Sequence, residues 1–242
     1  MTRFLLALGF LTRVPVPTME ATREDFAAAI RAYPLVGLVI GLVAAAAGCL
    51  GALVDPWTGA LAALVAWVAI TGALHLDGLA DLADGLGAAH GDRARLLAVM
   101  AEPQVGSFGV VVLVLQLLAK LVLLQALTRD GLAGHAWAAV ALVPFAARIG
   151  PICWARLLPP VTPGLGAAVA GAVRPRDIGG WAAVLAGVGA LVPALLVAPL
   201  LIAAYGIWLH RRLGGINGDA HGAGIELVET GLLVGLVVLG RF

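Results

Sequence analysis

Three aspartates stand at a spacing that places their carboxylates on one face of a helix. Asp77, Asp81 and Asp84 occupy positions i, i+4 and i+7 of the segment 72–85. Three like charges repel one another and lose hydration near a bilayer, so the stripe favours a bound cation. Mg²⁺ takes carboxylate oxygens together with substrate phosphates. The spacing predicts a metal and diphosphate site; the alternative is a solvated acidic face.

A glycine-rich motif near the end of the chain carries two further acids. In the segment 214–226, Asp219 and Glu226 again lie seven residues apart. The glycines allow close approach of backbone or phosphate, and a helix that begins here directs its first amides at an anion. On the same side of a membrane, the two motifs would form a clamp for metal and diphosphate. The alternative is a flexible loop with two unrelated acids.

Three ionisable side chains accompany these motifs inside apolar surroundings. Lys120 and Arg148 each interrupt an apolar stretch, where a cation is costly and usually faces the bundle interior. A phosphate or a carboxylate would be the partner, unless the chain reaches out to the membrane surface. His75 lies about 200° around a helix from Asp77. Either a substrate contact or a structural role is open to it.

The composition identifies the kind of protein that must position these residues. Of 242 residues, 62% are hydrophobic and 12% are charged, whereas soluble domains carry roughly 25% charged residues. The chain is therefore expected to be one membrane domain, residues 1–242. A net charge of +1 argues against a nucleic-acid surface.

Apolar stretches of about 20 residues mark the membrane spans. They predict an all-α, polytopic membrane helix bundle with about seven transmembrane helices. The stretch 178–209 is too long for one span and contains Pro193 and Pro199, so we expect a hairpin of two short helices there. The stretches are 34–54, 56–76, 105–127, 135–155, 178–209 and 222–240.

The arginine distribution orients the bundle. Arginines before the first span place the N-terminus in the cytoplasm, and Arg93 and Arg95 then lie in a cytoplasmic segment, 77–103. With a hairpin at 178–209, the glycine-rich motif faces the same side. The expected location is the inner membrane, with a site that faces the cytoplasm.

The chain resembles the cobalamin synthase family, also called adenosylcobinamide-GDP ribazoletransferase. The resemblance covers most of the chain, and its most specific part is the aspartate motif. The matching residues are Phe10-Leu11-Thr12-Arg13-Val14-Pro15-Val16-Pro17, Tyr33-Pro34-Leu35-Val36-Gly37, His75-Leu76-Asp77-Gly78-Leu79-Ala80-Asp81, Asp84-Gly85, Gly106, Gly109, Ala119-Lys120, Arg148, Gly218-Asp219, Gly222-Ala223 and Ile225-Glu226-Leu227.

This resemblance implies a reaction and its partners. Adenosylcobinamide-GDP would react with α-ribazole or its 5′-phosphate and release GMP, with Mg²⁺ required. The implied metal ligands are Asp77, Asp81 and Asp84, and Asp219 and Glu226 would complete the catalytic set. The lipid bilayer is a further partner, and a homo-oligomer stays open. The implied substrate-binding residues are His75, Glu102, Lys120, Arg148 and Asn217.

Two departures from the family pattern affect the site. Where the family commonly has Asp-Ser-Arg, this chain has Glu102-Pro103-Gln104. Glu102 keeps the acidic role, and Arg93 or Arg95 is expected to supply the missing cation. Where the family often has Gln-Thr, this chain has Ile216-Asn217, so Asn217 retains a polar side chain.

Other functions are less compatible with these motifs. A CDP-alcohol phosphotransferase would carry a Gly-x₃-Asp-x₃-Asp half, whereas the spacing here is Asp-x₃-Asp-x₂-Asp. A prenyltransferase would carry two aspartate-rich loops, whereas the second motif here is glycine-rich. A transporter would use Lys120 and Arg148 along its pathway, yet no inverted repeat is evident in the sequence.

Overall fold

The computed structural model describes residues 2–129, 133–161, 169 and 171–239, and most of these residues are helical. Short 3₁₀ turns at Ala29–Ala32 and Pro193–Val197 join the helices that follow them. The helices are α1 (Thr2–Leu11), α2 (Arg23–Ala28), α3 (Tyr33–Gly51), α4 (Pro56–Thr71), α5 (Leu74–Ala89), α6 (Arg93–Met100), α7 (Ser107–Thr128), α8 (Ala133–Ala147), α9 (Ile149–Leu157), α10 (Pro175–Gly189), α11 (Ala198–Leu213) and α12 (Gly218–Leu239).

The expected all-α polytopic membrane bundle is confirmed, with five to six candidate spans among the described residues where about seven were expected. A sixth span is reached only when α4 is counted with α5. Helix α10 is too short to qualify as a span because it has only 15 residues. Its first turn also carries the charged residues Arg176 and Asp177. Gly240, the predicted end of the last span, lies outside the described residues. The five spans are Arg23–Ala52, Ser107–Thr128, His135–Leu157, Pro193–Leu213 and Gly218–Leu239.

The predicted span 56–76 ends early, at a sharp bend between α4 and α5. Asp55 caps the start of α4 through the amides of Trp57 and Thr58. At the other end, Gly72 and Ala73 both adopt the left-handed conformation, with φ of 59° and 60°, and the two helices are bent by 85°. Helix α5 carries three aspartates and is therefore assigned to the polar side of the bend, outside the membrane-spanning segments. Spacing alone did not predict this bend.

Helix α10 and the segment 193–213 form the hairpin that the length and prolines of 178–209 predicted. The first helix ends at Gly189, and the chain turns at 190–192 before Pro193. Near the start of α10, Asp177 pairs with Arg31 at 3.1 Å. After the end of α11, the backbone at 216 bridges to residues 159–161, which follow α9. The chain therefore returns to the side on which it entered the hairpin.

The core behind the site depends on close contact between helix backbones. A Cβ atom at Gly37 or Gly41 of α3 would overlap the backbone of Pro144 or Ala141 in α8. Small residues allow such approach in membrane helices, where van der Waals packing drives association. This contact fixes α3, whose first residue, Tyr33, faces the candidate site.

Candidate active site

The two motifs meet where α5 crosses the start of α12. Gly78 lies so close to Asp219 that a Cβ atom there would be 2.6 Å from the Asp219 carbonyl oxygen. Gly222 faces the backbone of His75 in the same way, at 3.2 Å. A larger side chain at either glycine would push the helices apart. The glycines thus bring the aspartate motif and the glycine-rich motif together.

A cavity of about 370 Å³ opens at this crossing. Its polar side chains come from both motifs, and its apolar side chains come mainly from the first 33 residues. Phe10 packs against Phe26 at 5.3 Å and Tyr33 at 6.3 Å between ring centroids. A polar floor beside an aromatic wall suits a ligand that joins a phosphate to a flat ring. The polar lining residues are His75, Asp77, Asp219 and His221.

Asp81 interacts electrostatically with the two aspartates that line the cavity. Burial raises the pKa of the Asp81 carboxyl, as do the negative charges of Asp77 and Asp219, to about 6. Asp84 adds a smaller effect in the same direction. Like charges held together favour either a proton or a cation. The arrangement is therefore suited to a cationic ligand.

The described residues contain no group of three or more His, Cys, Asp or Glu side chains arranged to hold a metal. Mg²⁺ commonly uses one or two carboxylates and takes its other ligands from water and phosphate. Asp77 and Asp219 line one cavity, and Asp81 interacts with both. This donor set fits Mg²⁺ bound together with a diphosphate. The assignment of all three aspartates of α5 as ligands stays a prediction.

Asp84 is placed differently from the other two aspartates of α5. Its carboxylate is buried and accepts hydrogen bonds from the amides of Gly106 at 2.7 Å and Gly109 at 2.9 Å. These amides belong to the unpaired first turn of α7, so Asp84 caps that helix. Both glycines are needed there because a Cβ atom at either would collide with the carboxylate. The structure thus gives Asp84 a helix-capping role.

Glu226 lies in a buried ion network rather than on the cavity wall. Lys120 Nζ lies 2.7 Å from Glu226 and 2.6 Å from Glu229, and Arg148 lies 2.8 Å from Glu229. Gln116 donates to Glu226 at 2.9 Å. The two cations balance the two anions inside the bundle, so carboxylates are the partners of Lys120 and Arg148. A direct substrate contact for Lys120, Arg148 or Glu226 stays a prediction.

His75 connects this network to the cavity. Its side chain is buried, and its Nδ1 lies 3.5 Å from a guanidinium nitrogen of Arg148. Since that nitrogen is a donor, Nδ1 must accept and the ring proton lies on Nε2. Within the described part of the chain, Nε2 has no hydrogen-bond partner. His75 also lines the cavity, but its Nε2 is a buried atom, so donation of this proton to a ligand stays a prediction.

The remaining predicted residues are Asn217, Arg93, Arg95 and Glu102. Asn217 caps α12 by accepting from the amide of Ala220 at 2.9 Å, and its amide donates to Asp219 at 3.3 Å. The guanidinium of Arg93 lies against Gly214. Arg95 and Glu102 are exposed. Roles in substrate binding for these residues stay predictions, and Arg93 is the arginine that contacts the motif.

The sequence interpretation missed two members of the ion network, Glu229 and Gln116. Glu229 follows Glu226 by three residues and therefore lies on the same face of α12. Two cations in apolar spans require two anions, so the second glutamate could have been found by charge balance. Nothing in the local sequence marks Gln116 as a partner.

The family model described as cobalamin-5-phosphate synthase matches residues 3–237. Curated relatives named adenosylcobinamide-GDP ribazoletransferase are similar over nearly their whole length. The protein from Novosphingobium aromaticivorans is 56% identical, covering 99% of this chain and 98% of the relative. Those from Laribacter hongkongensis and Thiobacillus denitrificans are 49% and 48% identical, covering 100% and 97% of this chain and 98% and 94% of the relatives. No solved structure matches.

Proposed function

The chain belongs to the cobalamin-5-phosphate synthase family, and we propose that it transfers adenosylcobinamide phosphate from adenosylcobinamide-GDP to α-ribazole or its 5′-phosphate. The family description supports the phosphorylated acceptor. The observation that carries the proposal is the shared cavity, to which the aspartate motif contributes Asp77 and the glycine-rich motif contributes Asp219. The products are adenosylcobalamin or its 5′-phosphate, and GMP.

The reaction exchanges one phosphorus–oxygen bond for another. A ribose hydroxyl of the acceptor attacks the phosphorus that remains attached to cobinamide, and the bond to the bridging oxygen of GMP breaks. The hydroxyl proton passes to a base, and the carboxylates at the cavity are the groups suited to accept it. The leaving GMP carries away the electron pair of the broken bond. Positioning and charge stabilisation supply most of the catalysis in such transfers.

Asp77 and Asp219 would hold Mg²⁺ with the diphosphate, and Asp81 would support them. When bound, the metal neutralises charge on the leaving phosphate oxygens. The Nε2 proton of His75, which has no partner among the described residues, would bind a substrate oxygen if the ring turns toward the cavity. The aromatic wall of Phe10, Phe26 and Tyr33 offers a stacking surface for a base or ring. The cavity thus provides separate contacts for the charged and the flat parts of the substrates.

We further propose that the site faces the cytoplasm from the inner membrane. The cationic residues near the ends of α9, α10 and α11 support this orientation through the positive-inside rule. The nucleotide substrate and the GMP product are cytoplasmic compounds, which agrees with it.

Release of GMP from purified protein in lipid vesicles tests the proposed function. GMP should appear only when adenosylcobinamide-GDP, acceptor and Mg²⁺ are all present, and the amount of corrinoid product should equal the amount of GMP. Parallel reactions with α-ribazole and its 5′-phosphate determine the acceptor. GMP release without acceptor would instead indicate a hydrolase. Transfer from a CDP-alcohol, with no reaction of the GDP compound, would indicate the rival phosphotransferase.

A further inference from the structure

A second and larger cavity, of about 520 Å³, lies between α9, α10 and α11, and we call it the groove. Its lining is almost wholly apolar, and two of the lining side chains, Leu157 and Ile207, remain 73% and 55% exposed. The proposed reaction does not use this groove. The lining includes Leu157 of α9, Ala182 of α10, and Pro199, Ile207, His210 and Arg211 of α11.

The groove runs along the helices rather than across them. On α11 its lining extends from Pro199 to Arg211 with helical spacing, which corresponds to about 18 Å at about 1.5 Å per residue. Half of a hydrocarbon core is about 15 Å thick, from about 30 Å for both leaflets. The groove therefore matches the length of a lipid chain in one leaflet.

Cationic side chains collect at one end of the groove, from all three helices. Arg156 lies in the last turn of α9, Arg176 in the first turn of α10, and Arg211 in the last turn of α11 beside Arg212. The backbone bridge between Pro160 and Ile216 holds the ends of α9 and α11 together. All four arginines are exposed. An apolar channel that ends in a basic rim is complementary to an anionic amphiphile.

We propose that the groove binds one anionic phospholipid, with an acyl chain along α11 and the phosphate at His210 and Arg211. Charge complementarity selects an anionic lipid because a zwitterionic headgroup carries no net charge to balance the basic rim. The exposed apolar side chains provide the contact for the chain. This inference does not depend on the transferase activity.

Titration of the delipidated full-length protein with phosphatidylglycerol and phosphatidylcholine, followed by native mass spectrometry, tests the proposal. Ala182 lines the groove, whereas its neighbour Ala183 is also exposed but lies outside the lining. Ala182→Trp fills the groove, and Ala183→Trp adds the same ring to an adjacent face. Phosphatidylglycerol should bind the parent and Ala183→Trp equally and should bind Ala182→Trp at least tenfold more weakly.

A second pair of variants tests the rim without filling the groove. Arg211→Gln should weaken phosphatidylglycerol binding about fivefold, in proportion to about one interfacial cation. Arg23→Gln removes an exposed arginine from α2, outside the groove lining, and should leave the affinity unchanged. Phosphatidylcholine should bind the parent and both arginine variants weakly and alike.

Four results would overturn the proposal. Equal affinity for the two lipids would show that the basic rim does not select charge. Equal phosphatidylglycerol binding by Ala182→Trp and Ala183→Trp would place the lipid elsewhere. Displacement of phosphatidylglycerol by adenosylcobinamide-GDP would assign the groove to the corrinoid. A change from oligomer to monomer in Ala182→Trp, with no lipid retained by the parent, would assign it to a second copy of the chain.

Discussion

Two sets of carboxylates have opposite surroundings, and their members on α12 lie about two to three helical turns apart. Glu226 and Glu229 are buried and paired with Lys120 and Arg148. Asp219 lies on the cavity with Asp77, and within the described residues neither forms an ion pair. One set is neutralised by the protein itself, and the other retains its charge for a ligand. The same chemical group thus serves stability at one depth and binding at another.

Removing a cation that pairs with the buried carboxylates should have the largest effect on the free energy of unfolding. Arg148→Met leaves Glu229 with one cation instead of two, and breaking a buried pair typically costs about 3–5 kcal/mol. Unfolding in mixed micelles should show this loss of stability. Arg148→Met combined with Glu229→Met should recover part of it because both buried charges are then absent. A single variant as stable as the parent would contradict the comparison.

Removing charge from the cavity should instead affect catalysis and leave stability intact. Asp77→Asn and Asp219→Asn should each lower GMP release about 10²–10³-fold, the range for loss of one transition-state contact. Their unfolding midpoints should equal or exceed that of the parent, since like charges are removed. The activity of each variant is measured over a range of Mg²⁺ concentrations. Near-normal turnover in both would reduce these aspartates to a solvated face.

Asp84 should behave like the buried set although it belongs to the aspartate motif. An asparagine there turns an NH₂ group toward one of the amides of Gly106 and Gly109, which costs about 1–3 kcal/mol for the unsatisfied donor. Hydrogen exchange at the start of α7 should accelerate in Asp84→Asn. If Asp84 is a metal ligand instead, stability will hold and Mg²⁺ dependence will change as it does for Asp77→Asn.

His75 lies between the two sets of carboxylates. Variants at this position distinguish the effect of where the N–H donor lies from the effect of side-chain size. Gln places an amide near the position of Nε2, whereas Asn places one near Nδ1. We expect His75→Gln to retain about tenfold more kcat/KM than His75→Asn, which corresponds to about one hydrogen bond. Equal losses in both variants, with equal losses of stability, would assign His75 a structural role only.

The smallest effect concerns the missing family arginine. Arg93 and Arg95 are both exposed, and Arg93 contacts the glycine-rich motif at Gly214. Arg93→Gln should therefore lower kcat/KM about fivefold, as for about one partly solvated charge contact. Arg95→Gln should have no effect, and Gln104→Arg should partly rescue Arg93→Gln. Full activity of Arg93→Gln would show that no arginine has replaced the family's.

The sequence predicted the elements of the site better than the contacts within it. Charge in apolar spans indicated buried partners for Lys120 and Arg148, and the arginine distribution placed the two motifs on one side. The partners lie 81–109 residues away in sequence, as between Arg148 and Glu229 or Lys120 and Glu229. Local spacing carries no information about such pairs, so only charge balance could have identified them.

The interpretation of the aspartate stripe shows a second limit. Asp77 and Asp84 share a helical face, yet they lie about 10 Å apart along the axis at about 1.5 Å per residue. One therefore reaches the cavity while the other reaches the first turn of α7. The bend at Gly72 and Ala73 was also missed because a left-handed alanine is rare and has no sequence signal.

The ion network constrains the order in which the membrane protein is assembled. Helices enter the bilayer from the N-terminus, so Lys120 and Arg148 arrive before the helix that carries Glu226 and Glu229. A single charged residue at mid-membrane opposes insertion by about 2.5–3.5 kcal/mol. Until α12 has been synthesised, the two cations in the earlier helices lack their carboxylate partners, and the partial bundle is unstable in the membrane. A chain truncated before residue 218 should therefore be degraded in the cell rather than accumulate as a partial bundle.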